Sequence, residues 1–240
     1  MPSSEFQFTF ARLEDQYRTA LDHGYQFMTC AEYAECKAIG LPPRVVVNRV
    51  DVDVSVKRAA DLAAIYNRLG IKASFFIRLH GNEYNPFSFE HYRILKSLVD
   101  SGHELGYHSE VVDAAEIWDE CAVDCFRRDI DVFSRIFSIS LKGVASHGGF
   151  TGLNNLDFWR ERRPSDFGLL YEAYDREHTF NLFHESLYVS DSEWTRWKCY
   201  NRGKLVSDDR RSFAEHVLDR HTLIYLLIHS DTYYHRHFYE

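Results

Sequence analysis

The chain has 240 residues, 45% of them hydrophobic and 27% charged, with a formal net charge of −8. That balance fits one globular domain with a full core. No Lys/Arg block stands out, which argues against a phosphate-tracking nucleic-acid surface and favours a small or neutral polar substrate. The opening MPSSEFQFTF has neither a basic n-region nor an apolar h-region, and no apolar run approaches the ~20 residues a membrane span needs, so the chain reads as cytoplasmic and soluble. The five cysteines form no CxxC pair; Cys121 and Cys125 fall i, i+4 on a predicted helix and read as buried, reduced thiols.

Residues 4–38 read as helical segments around a turn at His23 and Gly24, packed on the domain that follows. RVVVNRV (44–50) is β-branched enough for a buried parallel strand. Residues 56–69 carry a helical apolar face stopped by Gly70, and ASFFIRL (73–79) is the second strand. A helix capped by Ser88 runs to the stop at Gly102, and HELGYH (103–108) is the third strand. One long helical region covers 113–138. KGVASH (142–147), GLLYEAY (168–174) and SLYVS (186–190) are strands four to six; a helix around 212–220 precedes TLIYLLIH (222–229), the strongest strand. Strand and helix alternate about seven times with short connections, which predicts an α/β fold with a parallel sheet flanked by helices. No GxGxxG or GxxxxGK[ST] follows the first strand, so a closed or nearly closed (β/α) barrel suits the chain better than an open nucleotide-binding sheet.

In such folds, side chains at the C-terminal strand ends converge on one face. Asp51 and Asp53 end the first strand, His108 the third and His147 the fourth; Asp191 follows the sixth, and His229 and Asp231 end the last. Each alone reads most simply as a cap or turn residue. Independent caps would be Ser or Asn as often as Asp or His, so the recurrence points to one polar site. His103 begins a strand and is set aside, as are His178, His184, His216, His221, His235 and His237; Glu104 reads as structural. A carboxylate and two neutral imidazoles are the ligand set of a catalytic zinc with a position open for water. A second carboxylate left off the metal can take the proton of that water. Two Asp at i, i+2 on an extended chain point to the same side, so Asp51 and Asp53 can share these tasks, leaving His229 to protonate a leaving group.

NRVDVD, GHELGYHSEVVD, ASHGG and LLIHSD, in this order, resemble the NodB-homology polysaccharide deacetylase superfamily (carbohydrate esterase family 4), over about residues 44–229. The likeness is greatest to its divergent R-H-D-V-D branch, associated with bacterial surface-polysaccharide and lipopolysaccharide (O-antigen) genes. The resemblance implies a distorted (β/α) barrel of about seven parallel strands, Asp51 as catalytic base, Asp53 and His108 as metal ligands, and His229 as the histidine that assists the leaving group. Departures are visible too: Val112 stands where the second metal histidine is usual, Val50 replaces the histidine of R-H-D-V-D, and the arginine-containing third motif is missing. Two substitutes for the lost ligand are available, His147 and Glu110. His147 is favoured because a strand-end imidazole followed by two glycines leaves room for close approach. The stretch YVSDSEW resembles the branch's YxSDSxxxW pattern, which makes Trp194 and Trp197 candidates for stacking on a sugar face. Arg49, Glu110, Asp191 and Trp194 are the expected substrate contacts, with Asn85, Asn154 and Asn155 weaker ones.

The resulting expectation is a Zn²⁺-dependent, or other divalent-metal-dependent, amidohydrolase that removes an acetyl or formyl group from an amino sugar of a cytoplasmic glycan precursor. The rivals are another hydrolase on the same barrel, cleaving a cyclic amide or a glycosidic bond between carboxylates, and a carbohydrate-binding relative that has lost the chemistry.

Overall fold

A computed structural model describes residues 8–236. The N-terminal segment forms helix α1 (Phe10–Asp22), strand β1 (Gln26–Met28) and helix α2 (Cys30–Cys36). The predicted turn at His23 and Gly24 is present, but the stretch after it is a strand that pairs with Val45–Val47 and so joins the sheet. The β-branched run becomes β2 (Val45–Val52), buried along its whole length. It leads into α3 (Val56–Leu69), which Ser55 caps through Arg58 N and Gly70 ends in the left-handed region (φ 68°). Then come β3 (Ser74–Ile77), α4 (Phe89–Asp100) capped by Ser88, and β4 (Glu104–Ser109). The helical region expected over 113–138 is two helices, α5 (Val111–Trp118) and α6 (Ala122–Phe137), because Asp119 adopts a left-handed conformation (φ 53°) that stops the first. The remaining elements are β5 (Gly143–Ser146), β6 (Tyr171–Glu172), α7 (Leu182–Glu185), β7 (Leu187–Ser190), the hairpin β8 (Lys198–Asn201) and β9 (Lys204–Leu205), α8 (Phe213–Leu218) and β10 (Leu223–His229).

The sheet runs β6-β5-β4-β3-β2-β10-β7-β8-β9, and its first seven strands are mutually parallel. Alternation along the strands builds two cores. Val46, Val50, Val52, Phe75, Ile77, Leu105, Val144, Ile224, Leu226 and Ile228 pack beneath the helices, whereas Val45, Val47, Phe76, Ala145, Tyr171, Tyr225 and Leu227 fill the concave interior. Gly106 and Gly143 make room there: a Cβ would lie 2.5 Å from the Phe76 ring and 2.1 Å from that of Tyr171. At the N-terminal strand ends, α2 presents its first amides inward. Cys30 N donates to Ser74 Oγ and Ala31 N to Glu104 Oε2, while Tyr171 OH donates to Glu104 Oε1. Glu104 is thus part of the floor.

The barrel is distorted and does not close. β7 pairs with β10 on one side and with antiparallel β8 on the other, so no edge remains for β6, itself only two residues long. Side chains span the gap instead, with Tyr174 OH 3.2 Å from Tyr188 OH. No helix among the described residues is long and apolar enough to cross a membrane.

Candidate metal centre

One face of β2 carries Arg49 and Asp51, and Asp53 continues the same i, i+2 spacing just past its end. The register sets their neighbours: Asp51 lies beside His229 of β10 and Phe76 of β3. Two residues beyond Gly106, the β4 neighbour of Phe76, His108 lies beside Ala145. Asp53, His108 and His147 thereby converge, with one ligand atom from each lying within 4.8 Å of the others.

The hydrogen bonding of this group leaves a place for a cation. His108 Nδ1 is 2.9 Å from the Ala145 carbonyl, which can only accept, so Nδ1 carries the proton. In a neutral imidazole Nε2 is then a bare lone pair, yet it lies 3.3 Å from both Asp51 Oδ2 and Asp53 Oδ1. Lone pairs of three such atoms face one another stably only with positive charge among them. A second proton on the imidazole supplies it, and the two carboxylates do raise His108 against the effect of burial. A divalent metal supplies it as well, and ligands bound at ~2.0–2.2 Å to a tetrahedral ion sit at about this 3.3 Å separation. Asp53 Oδ1 is buried with no hydrogen-bond partner, as expected of a ligand atom. Burial alone would raise Asp53, but His108, with His229 and His147 behind it, holds the carboxyl below its usual range. The donor set therefore fits a divalent metal, including zinc.

His147 reaches the cluster from the loop after β5, its ring 5.0 Å from that of His108 and nearly perpendicular to it. Its Nδ1 is 3.4 Å from Glu110 Oε1. Glu110 is gripped by Arg78, which donates from Nε and Nη2 to that same oxygen and from Nη1 to the Asp53 carbonyl. Glu110 thus stands behind His147, and the Arg78 guanidinium ties together the two loops that carry Asp53 and Glu110. Burial, and then the neighbouring His108, lower the His147 pKa. Of the two glycines after His147, Gly148 has open space where a Cβ would stand, whereas a Cβ on Gly149 would overlap the Leu153 carbonyl at 1.5 Å. Gly149 thus serves the return of its own loop.

Two of the expected substrate contacts have other surroundings. Arg49 is 1% exposed, donates from Nε and Nη2 to the two oxygens of Asp51, and lies over the Tyr174 and Phe76 rings. It is Asp51's counter-ion at the cavity floor, placed there by the i, i+2 spacing. Burial would raise Asp51, but Arg49, with His108 and His229, keeps it ionised. Asp191 is fully buried behind His229 and outside the cavity lining. It accepts from the His229 backbone N–H and lies 2.6 Å from Nδ1. Burial alone would lower His229, but Asp191, with Asp51 and Asp53 further off, raises it to about 9. Burial pushes Asp191 itself upward, opposed by His229. The His229 Nε2 faces the cluster, 3.9 Å from Asp53 Oδ2.

Asp51, Asp53, His108, His147 and His229 all line one cavity of about 420 Å³. Trp194, in the left-handed region (φ 61°) and about half exposed, lines it too, its ring 6.1 Å from that of His229. Trp197 does not: it is fully buried against Phe8, a core residue. Asn155 is likewise buried, bracing Asp113 and the carbonyl of His147. Residues not anticipated as part of the site are Arg78, Tyr174, Tyr188 and Lys198. Of these, Arg78 sits just past a strand end and obeys the same rule that picked out the histidines.

The sequence matches no protein-family model and no curated relative. Solved structures similar to it include these two. One is the structure of IcaB from Ammonifex degensii, with 20% identity, a TM-score of 0.46, and coverage of 66% of this chain and 74% of that one. The other is a mutant of BA3943, a CE4 family pseudoenzyme with restored enzymatic activity, with 16% identity, a TM-score of 0.45, and coverage of 80% of this chain and 63% of that one.

Proposed function

We propose that the protein is a metal-dependent amidohydrolase that removes an N-acyl group, acetyl or formyl, from an amino sugar. The observation that carries this reading is the convergence of Asp53, His108 and His147 within 4.8 Å, beside a fourth and fifth group, Asp51 and His229, in one cavity. Asp53, His108 and His147 would hold the metal, Zn²⁺ by the nature of the donors. Bound there, it would polarise the amide carbonyl and make its water acidic. Asp51, kept ionised by Arg49, takes the water proton. The His229 imidazolium, held by Asp191, donates a proton to the departing amine nitrogen. Trp194 and the tyrosines of the wall exclude water from the sugar face. A precursor of a surface polysaccharide or O-antigen in the cytoplasm is the substrate context we propose, on the motif resemblance alone.

The test is release of acetate or formate from a panel of N-acylated amino sugars, with metal content measured in parallel. Asp53→Ala should lose the metal; Asp51→Asn should keep it and lose turnover. Full metal content in Asp53→Ala would overturn the ligand assignment, and reducing ends in place of acid would replace the reaction with glycoside hydrolysis. A binding protein without turnover is the second reading. Its support is the Arg49 clamp on both oxygens of Asp51, which weakens that carboxylate as a base. Tight sugar binding with no acid released under saturating zinc, cobalt or nickel would decide for it.

A further inference from the structure

Away from the cavity, Cys199, Asp209 and His216 bring a thiol, a carboxylate and an imidazole together, with one donor atom of each lying within 4.8 Å of the others. We infer that this is a second metal site, for zinc, which fastens the edge hairpin β8–β9 to α8. The inference stands apart from the chemistry proposed for the first centre.

The fold delivers the three donors from separate places. Cys199 lies on β8 between Lys198 and Tyr200, which line the first cavity, so its own side chain turns the other way and is fully buried in the helix layer. Beyond β9 the chain doubles back: Val206 N donates to the Cys199 carbonyl and Asp209 N to that of Val206, which brings Asp209 beside the thiol. Helix α8, capped by Ser212, supplies His216, which is set aside on sequence yet is fully buried. Its Nε2 is 3.0 Å from Cys199 Sγ and 3.6 Å from Asp209 Oδ1. Ligands bound to a tetrahedral zinc at ~2.0–2.3 Å are spaced at ~3.3–3.6 Å, so shifts of about half an ångström admit the ion.

Hydrogen bonding does not account for a histidine here. Nδ1 is buried with no partner, so one tautomer strands an N–H and the other a lone pair. Such burial costs stability, and the donors gathered around Nε2 offset it once a cation joins them. The charges close as well. Arg211 donates to both oxygens of Asp209 and from Nη1 to Asp219, so two carboxylates share one guanidinium. A divalent ion, with the Cys199 proton released to solvent, brings this group to neutrality, and Arg211 then holds a ligating carboxylate from outside. Thiolate beside imidazole selects zinc over magnesium, calcium or manganese. Asp219 and His221 form another group with the same His216, but it is more exposed and offers no thiolate. Filled, the inner site would brace from behind the strand whose front carries Lys198 and Tyr200 into the first cavity.

Cobalt titration tests this, because thiolate bound to Co²⁺ gives a near-ultraviolet charge-transfer band and no cysteine lines the first cavity. Wild type should show the band, and Asp53→Ala should keep it with one equivalent bound. Cys199→Ser and His216→Gln should lose it. Asp209→Asn, at the least buried of the three positions, should fold and weaken that equivalent by at least the ~10–100-fold that loss of an outer partner costs. Zinc should raise the Tm of Asp53→Ala but not of Asp53→Ala with Cys199→Ser. No band in folded wild type at saturating cobalt, a band that survives in Cys199→Ser, or a second equivalent bound without a band would overturn the inference. Metal counts for the first centre are read in a Cys199→Ser background. A band without acid release from any glycan keeps this site and removes the deacylase; acid release without a band does the reverse.

Discussion

Replacing Asp191 with Asn removes the charge behind His229 and keeps the shape. Asn still offers one oxygen to the His229 backbone N–H. In the wild type, the rise of His229 from 6.5 to about 9 corresponds to about 3 kcal/mol of preference for the imidazolium. Without Asp191, burial is opposed only by the more distant Asp51 and Asp53, and His229 should titrate well below about 9. The sign of the stability effect follows. A histidine raised above its unfolded value stabilises the fold fully below about pH 6.5 and loses that contribution as pH climbs through about 9. Wild type should exceed Asp191→Asn by up to about 3 kcal/mol in urea titrations at pH 6, and the gap should narrow by pH 9.5. The assay is NMR titration of the His229 Cε1–H in metal-free protein, which needs no substrate. Titration near 9 in both proteins would refute the pairing as the cause.

Arg49→Met leaves the Asp51 carboxylate buried without its partner and should cost about 3–5 kcal/mol, whereas Arg49→Met with Asp51→Leu should recover most of it. Equal chemical-denaturation midpoints for the single and double variants would count against a buried ion pair. Glu110→Gln should bind zinc about 10–100-fold more weakly than wild type while still binding one equivalent, in contrast to Asp53→Ala; competition with a chromogenic chelator reads both. Gly143→Ala drives a Cβ into the Tyr171 ring and should lower stability by about 1–3 kcal/mol, seen as a drop in Tm.

The strand-end rule needed only the apolar runs and their last residues, which is why the rim carrying Asp51, Asp53, His108, His147 and His229 was legible in the sequence. Other parts were hidden for physical reasons. β1 is three residues long, too short for periodicity to register, and β8 and β9 are polar strands around a turn whose Arg202 and Gly203 both take positive φ. That hairpin occupies the edge that closure would have needed. Asp191 follows a strand as the histidines do, which marks it as a substrate contact; only the packing of β7 against β10 shows it is enclosed behind His229. Arg49 reads from the sequence as a substrate contact, although its spacing from Asp51 already places both on one face.

That spacing has a consequence for how the protein reaches its native form. Arg49, Asp51 and Asp53 alternate with Val50 and Val52, which pack under the helices. A slip of β2 by a single residue against β10 or β3 would turn the charged set outward into the helix layer and bring valines into the cavity. No such alignment keeps Asp53 beside His108 and His147, so uptake of the proposed metal would report native alignment of β2. A variant that folds with β2 misaligned should give itself away by an empty centre before any change in helix content is visible.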